Sequence, residues 1–117
     1  MMNESYLIFD TETTGLPVDW NAPISNLDNW PRLVQIAWFH CDNSGNILTD
    51  SNYIVKPQGF TIPEDATEVH GISTEMAKSE GIDLKTVLIE FSKAISQSSF
   101  LVAHNLNFDE KIVGAEF

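Results

Sequence analysis

Two long apolar segments joined by a short polar turn restrict this chain to folds that contain a β-sheet. Leu33 to Cys41 (LVQIAWFHC) is nearly continuous apolar sequence, and Ile47 to Val55 (ILTDSNYIV) alternates more loosely. The intervening DNSGN has the composition of a hairpin turn. A further apolar segment, Tyr6 to Phe9, predicts a buried strand that ends at Asp10. The sequence therefore predicts a β-hairpin joined to a first strand.

The sequence after the hairpin has the spacing of helices. Pro63 is tolerated in a first helical turn and is followed by two acids, which favours a short helix that Gly71 ends. Ser73 or Thr74 can cap a second short helix, which is expected to run through Met76.

A longer helix, a strand and a last helix complete the expected order. Asp83 can cap the longer helix, whose apolar stripe is expected to face a sheet. The stripe consists of Leu84, Val87, Leu88, Phe91, Ala94 and Ile95. Phe100 to Ala103 then predicts a strand, and the last helix begins near Asn107. This order predicts one α/β domain with a mixed sheet, and the uncovered edge of the last strand indicates that the C-terminal part of a larger domain is missing.

The charge balance is strongly acidic. Six Lys and Arg residues stand against 17 Asp and Glu residues, which gives a formal net charge of −11. A phosphate-binding groove of basic side chains is therefore not expected, and a nucleic-acid partner would need bound divalent cations held by acidic clusters. No apolar run approaches membrane-spanning length and no export signal is visible, so we expect a cytoplasmic protein with no membrane partner.

Three carboxylates lie at the expected junctions of strands and turns or helices. Asp10 and Glu12 are two residues apart, so their side chains project from the same face if the backbone stays extended. Asp109 follows another buried strand and falls in the first turn of a helix. Hard cations such as Mg²⁺ and Mn²⁺ prefer such oxygen ligands. Each acid alone has a simpler interpretation, since acids often close strands in solvent and stabilise helix N-termini.

Four segments, in this order and at these separations, resemble a single enzyme family. They are FDTETTGLP, PRLVQIAW, IPEDATEVHGIS and VAHNLNFD. Together they resemble the DEDD 3′–5′ exonuclease superfamily, specifically its DnaQ-like branch, which includes the epsilon proofreading subunit of bacterial DNA polymerase III. The resemblance implies that residues 1–117 form one exonuclease-like domain with a ribonuclease H-like mixed sheet flanked by helices.

The resemblance also implies a reaction, its cofactors and its partners. The reaction is hydrolysis of the terminal phosphodiester of nucleic acid, with DNA the expected substrate, and the products are nucleoside 5′-monophosphates. Two divalent ions, Mg²⁺ or Mn²⁺, would be held by Asp10 bridging both, Glu12 on one and Asp109 on the other, largely through water. The implied partners are a single-stranded or frayed 3′ end, the monophosphate product and, as a candidate, a DNA polymerase.

The terminal nucleotide is expected to lie beside these carboxylates. The implied substrate-binding residues are Thr13, Thr14, Gly15, Leu16, Val69, His70, Asn105 and Phe108. Thr13 to Gly15 would present backbone amides, Leu16 would pack against the base, and Phe108 would form an apolar wall. Val69 and His70 would contact the sugar and base, although a local hydrogen bond and core packing are an equally good interpretation of His70.

The family also uses a fourth carboxylate and a His or Tyr general base in a downstream motif that this chain does not reach. We therefore expect binding of metal and nucleotide, with little or no catalysis, from residues 1–117 alone. Two alternatives remain: a non-catalytic nucleotide- or metal-binding interaction module, and a small structural protein whose acids form a solvated face. The sequence leaves DNA and RNA open as substrates.

Overall fold

The computed structural model describes residues 4–15, 19, 21–25, 30–103 and 106–117, with only the backbone described at 106–108. The strands and helices follow one another in the predicted order, which confirms an α/β fold. The elements are β1 (Ser5–Thr13), β2 (Leu33–Asp42), β3 (Ile47–Ile54), α1 (Glu64–His70), α2 (Thr74–Glu80), α3 (Leu84–Ser96), β4 (Phe100–Val102) and α4 (Leu106–Glu116).

The described residues form a mixed sheet of four strands in the order β3-β2-β1-β4. β1 pairs antiparallel with β2, β2 pairs antiparallel with β3, and β4 runs parallel to β1. Gly45 in the β2–β3 turn has a φ of 86°, and Asp42 accepts the backbone N–H groups of Ser44 and Asn46, both at 2.9 Å. The predicted hairpin, mixed sheet and edge position of the last strand are therefore confirmed.

β1 is longer than the sequence predicted. The prediction that this strand ends at Asp10 is wrong, because pairing with β2 continues through Glu12, which lies opposite Gln35. The register then shifts, and Thr13 lies opposite Leu33. Asp10 and Glu12 therefore lie inside a paired strand, where the backbone hydrogen bonds fix the directions in which their side chains point.

α3 and α4 cover one face of the sheet. The ring centroid of Phe91 in α3 lies 5.1 Å from the rings of both Phe9 and Trp38, and all three side chains are buried. Ile112 of α4 is fully buried in the same cluster. The buried residues of the predicted α3 stripe are Val87, Leu88 and Phe91. Burial of each large apolar side chain stabilises the fold by about 1.5–3 kcal/mol, so this cluster fixes both helices to β1 and β2.

α1 and α2 pack around a second, smaller cluster. Gly71 ends α1 in the left-handed conformation with a φ of 78°, as predicted, and Ser73 Oγ caps α2 by accepting the Met76 N–H at 3.1 Å. α2 continues past Met76 to Glu80 because Ala77 is fully buried in this cluster. The buried residues of the cluster are Val34, Ile62, Ala66, Ile72 and Ala77.

Two helix starts differ in detail from the prediction. Asp83 occupies the N-cap position of α3, but its carboxylate accepts a hydrogen bond from Gln58 Nε2 at 2.6 Å instead of capping the helix. α4 begins at Leu106, one residue before the predicted start. Within the described part of the chain, no helix combines the length and apolar character needed to cross a membrane.

Candidate active site

β1 presents its side chains alternately to the two sides of the sheet. Phe9 and Thr11 are buried on the side covered by α3 and α4, whereas Ile8 and Asp10 are exposed on the other side. Glu12, two residues after Asp10, is partly buried. The alternation of an extended strand therefore gives Asp10 and Glu12 one face and Thr11 the other.

Asp109 reaches β1 on the face of Thr11. It lies in the first turn of α4, as predicted, and is only 3% exposed. The hydroxyl of Thr11 donates a hydrogen bond to Asp109 Oδ1 with a distance of 2.5 Å. That distance is typical of a hydroxyl bonded to an ionised carboxylate. The first turn of α4 is thereby attached to the strand that carries Asp10 and Glu12.

The pKa of Glu12 is affected by the charged groups around it. The pKa of Glu12 is raised above its ordinary value of 4.5, first by burial and then by the negative charges of Asp10 and Asp109. The positive charge that His70 carries when its ring is protonated partly offsets this by lowering the pKa of Glu12. The charges of all three predicted carboxylates therefore interact at Glu12.

The donor set fits a hard divalent cation only in part. Asp10 and Glu12 supply carboxylate oxygens on one face, and a bound cation would relieve the repulsion that raises the Glu12 pKa. Over the described ranges, however, no three acid, His or Cys side chains lie close enough together to hold an ion by themselves. One or two carboxylates completed by water and phosphate oxygens are the usual arrangement for Mg²⁺, and that arrangement suits this pair.

A pocket of about 360 Å³ opens beside Glu12. Its volume lies within the usual range of small-molecule sites. The residues that line it are Thr11, Glu12, Thr13, Gly15, Ala66, Val69 and His70. Val69 is 83% exposed, which leaves its apolar side chain open to solvent beside this pocket. The turn after β1 and the end of α1, which the sequence assigned to the terminal nucleotide, therefore line one pocket with a predicted metal ligand.

His70 connects these two walls of the pocket. Its Nε2 lies 3.1 Å from the Thr13 carbonyl oxygen, and its Nδ1 lies 3.1 Å from the Ile72 backbone nitrogen. Because the Ile72 N–H can only donate, Nδ1 is the acceptor, and Nε2 carries the proton that is donated to Thr13. The local hydrogen bonds that the sequence offered as one interpretation of His70 are present, and the same side chain lines the pocket.

Backbone amides in the turn after β1 donate hydrogen bonds within the chain. The Thr14 N–H donates to the Arg32 carbonyl at 3.0 Å, and the Thr14 hydroxyl accepts the Arg32 N–H at 2.9 Å. The Gly15 N–H donates to the Thr13 hydroxyl at 3.3 Å. Two of the amides assigned to the nucleotide are therefore already paired within the chain, and Thr14 is not among the residues that line the pocket.

Some predicted contacts lie outside the described residues. Leu16 and Asn105 are among them, as is the side chain of Phe108. Sequence reasoning in turn missed Thr11 and Ala66. The available signals were the position of Thr11 on the buried face between two acids, and the position of Ala66 three residues before Val69 on the same face of a helix.

A mixed four-stranded sheet with Asp10 and Glu12 on its first strand, beside this pocket, fits the ribonuclease H-like class of fold. The family model described as "Exonuclease" matches residues 7–117. The chain therefore belongs to this exonuclease family, in its DnaQ-like 3′–5′ branch, and the resemblance read from the four sequence segments is confirmed. Members of this family generally use divalent metal ions.

The sequence is similar to part of much longer polymerases. It is 32% identical over 109 residues to the DNA polymerase III PolC-type of Streptococcus sanguinis, and the aligned region covers 93% of this chain and 6% of that protein. It is 33% identical over 117 residues to the PolC-type polymerase of Streptococcus mutans, and the aligned region covers 99% of this chain and 7% of that protein. The chain thus spans only 6% to 7% of the length of these two curated relatives.

Solved structures of Exonuclease I share the fold. The E. coli enzyme in complex with a dT13 oligonucleotide aligns with a TM-score of 0.76 and 18% identity, over 94% of this chain and 22% of that chain. Exonuclease I from Methylocaldum szegediense aligns with a TM-score of 0.75 and 19% identity, over 93% and 22%. These likenesses confirm the ribonuclease H-like fold class.

Proposed function

We propose that this chain is the metal- and nucleotide-binding part of a 3′–5′ exonuclease that hydrolyses the terminal phosphodiester of DNA and releases nucleoside 5′-monophosphates. The observation that carries the proposal is the position of Glu12. Its carboxylate is crowded by the charges of Asp10 and Asp109 and lines a pocket of about 360 Å³. Membership of the exonuclease family and the oligonucleotide bound to the related Exonuclease I support a nucleic-acid substrate.

Two ions, Mg²⁺ or Mn²⁺, are the proposed cofactors. Asp10 and Glu12 would hold one ion, and Asp109 would hold the other. When bound, such ions activate the attacking water and stabilise the leaving 3′ oxygen. They would also supply positive charge that this chain lacks, since it contains only six Lys and Arg residues.

The pocket is proposed to bind the terminal nucleotide. Val69 would provide apolar surface to the sugar or base, because its side chain is exposed beside the pocket. His70 would keep the end of α1 against the end of β1 through its bond to Thr13. The wall formed by Thr13 and Gly15 would limit the depth of the pocket. For Leu16, Asn105 and Phe108, the substrate contacts that the family resemblance implies stay predictions.

The wider setting follows from the relatives. We infer that residues 1–117 belong to a single exonuclease domain, that this domain works in the cytoplasm, and that a DNA polymerase is its partner. The PolC-type polymerases that match nearly all of this chain support each of these inferences.

Calorimetric titration tests the binding site. We expect the wild-type protein to bind Mn²⁺ together with a nucleoside 5′-monophosphate, and Asp10→Ala to lose this binding. Asp50→Ala is the matched control, because it removes an exposed carboxylate from β3, away from the pocket. No binding by the wild type, or equal binding by Asp10→Ala, would exclude the proposal.

Product release tests the reaction. Single-stranded DNA and RNA oligonucleotides of the same sequence, labelled at the 3′ nucleotide, are incubated with the protein and Mn²⁺. Release of labelled monophosphate from DNA would support the exonuclease assignment for the residues present. Release from RNA alone would overturn the DNA assignment, and binding without any release would match the little or no catalysis expected of residues 1–117 alone.

A further inference from the structure

We infer that Thr11 is a positioning residue whose hydroxyl orients the Asp109 carboxylate for the second metal ion. This inference rests on the proposed function, because it concerns the same metal site. It adds a residue whose side chain points away from Asp10 and Glu12 and which no sequence feature had marked as functional.

The contact between Thr11 and Asp109 is short and enclosed. Thr11 Oγ1 and Asp109 Oδ1 are 2.5 Å apart, and Thr11 and Asp109 are 7% and 3% exposed. Water therefore has little access to compete for either group, and a hydrogen bond to a charged acceptor is strong in such surroundings. The bond restricts rotation of the carboxylate and fixes the position of both its oxygens.

Core packing alone does not require a hydroxyl at this place. The neighbouring residues on the same face of β1, Leu7 and Phe9, are apolar and buried. A valine has nearly the same shape as threonine and would fill this position without burying a polar group. Thr11 and Asp109 instead satisfy each other, since a buried hydroxyl and a buried carboxylate each need a hydrogen-bond partner.

The bond acts on the site because Asp109 is itself one of the three proposed metal ligands. Asp109 lies in the first turn of α4, and its bond to Thr11 holds its carboxylate against the strand that carries Asp10 and Glu12. A residue that holds a metal ligand through a hydrogen bond typically contributes about 10- to 100-fold in metal affinity. Thr11 stands in this relation to Asp109.

The test compares Thr11→Val with Thr11→Ser. Mn²⁺ binding is measured by calorimetry and by the loss of the electron paramagnetic resonance signal of free Mn²⁺, in the presence of a nucleoside 5′-monophosphate. Wild type is expected to bind two ions. Thr11→Val is expected to bind the second at least about tenfold more weakly with the first unchanged, and Thr11→Ser is expected to retain both.

An Asp109→Asn background separates positioning from general loosening of the fold. There, Thr11→Val is expected to have no further effect on the affinity of either ion, because the carboxylate that it orients is gone. Thr11→Ala, which also lacks the hydroxyl, serves in place of Thr11→Val if valine prevents folding.

The outcomes separate the two proposals. If wild type binds no Mn²⁺, the proposed function and this inference both fail. If wild type and Thr11→Val both bind two ions with equal affinity, or if Thr11→Val weakens both ions equally, only the positioning role of Thr11 is overturned.

Discussion

Arg32 and Glu116 form a two-point ion pair that joins the start of β2 to the end of α4. Arg32 Nε lies 2.7 Å from Glu116 Oε1 and Nη2 lies 3.2 Å from Oε2, while the Leu33 N–H also donates to Oε1. The Glu116 side chain is 5% exposed and that of Arg32 is 38% exposed. Since Arg32 also exchanges two hydrogen bonds with Thr14, this residue connects the turn beside the pocket to the helix that carries Asp109.

Arg32→Ala is expected to lower the free energy of unfolding by about 2 kcal/mol, because a buried Glu116 carboxylate would lose its charged partner. Urea denaturation measures the change. Lys93→Ala, which breaks the exposed pair between Lys93 and Glu90, is the control and should cost at most about 0.5 kcal/mol. Equal losses in the two variants would show that the buried position of Glu116 does not matter.

Gly81→Ala is expected to destabilise the protein by roughly 2–3 kcal/mol, because an added Cβ would overlap backbone atoms that cannot move aside. It would lie 2.2 Å from the Ala77 carbonyl oxygen and 2.6 Å from the Lys56 nitrogen. Gly15→Ala is the matched control, since a Cβ there meets nothing within 4 Å. Thermal unfolding of both variants provides the measurement, and similar melting temperatures would contradict the steric argument.

The stability of the metal-free protein is expected to depend on Glu12 in a defined pH range. The folded-state pKa of Glu12 is raised above 4.5, so the native state binds its proton more tightly than the unfolded state does. The contribution of Glu12 to stability is therefore fully present below pH 4.5 and is lost as the pH rises through the folded pKa. Glu12→Gln should remove this loss in urea denaturation from about pH 4 to about pH 7.

Asp42 provides a control of opposite sign for that measurement. Hydrogen bonds from the backbone and side chain of Asn46 lower the pKa of Asp42 below 3.8. Its contribution to stability is therefore present above pH 3.8 and is lost as the pH falls through its folded pKa. Asp42→Asn should alter only this acidic limb, and an unchanged pH profile in Glu12→Gln would argue against electrostatic crowding at Glu12.

Val69→Asp is expected to weaken binding of a nucleoside 5′-monophosphate about tenfold, or about 1.4 kcal/mol, because it replaces an apolar contact with a charge that repels the phosphate. Val69 is 83% exposed, so folding stability should change by less than about 0.5 kcal/mol. Ile47→Asp places the same charge at a residue that is 61% exposed on β3 and should leave binding intact. Fluorescence anisotropy with a labelled monophosphate distinguishes the two variants.

Local signals explain why most of the fold could be predicted from the sequence. The hairpin turn contains its own glycine with positive φ, and the Gly71 and Ser73 caps act within their own helices. The extent of β1 could not be predicted, because it depends on pairing with a strand whose position follows from tertiary structure. The length of α2 likewise depends on burial of Ala77 against residues from other elements.

The candidate site likewise contains some features that depend on local sequence and others that depend on tertiary structure. The three carboxylates and the pocket segments belong to short motifs, so a single sequence could indicate them. The bond between Thr11 and Asp109 joins residues 98 positions apart, and the ion pair between Arg32 and Glu116 joins residues 84 positions apart. No local pattern reports contacts over such separations, and for the same reason the pairing of the Thr14 amide with Arg32 could not be foreseen.

The register shift in β1 falls immediately after Glu12 and leaves the five residues from Ile8 to Glu12 in unbroken alternation. The face on which each side chain of the candidate site lies therefore depends on whether its position along β1 is odd or even. One residue inserted between Tyr6 and Asp10 would turn both acids into the apolar core and bring Thr11 to the outer surface. Two inserted residues would return both acids and Thr11 to their original faces of the sheet. Loss and recovery of metal binding across such insertions would reflect the two-residue period of the strand itself.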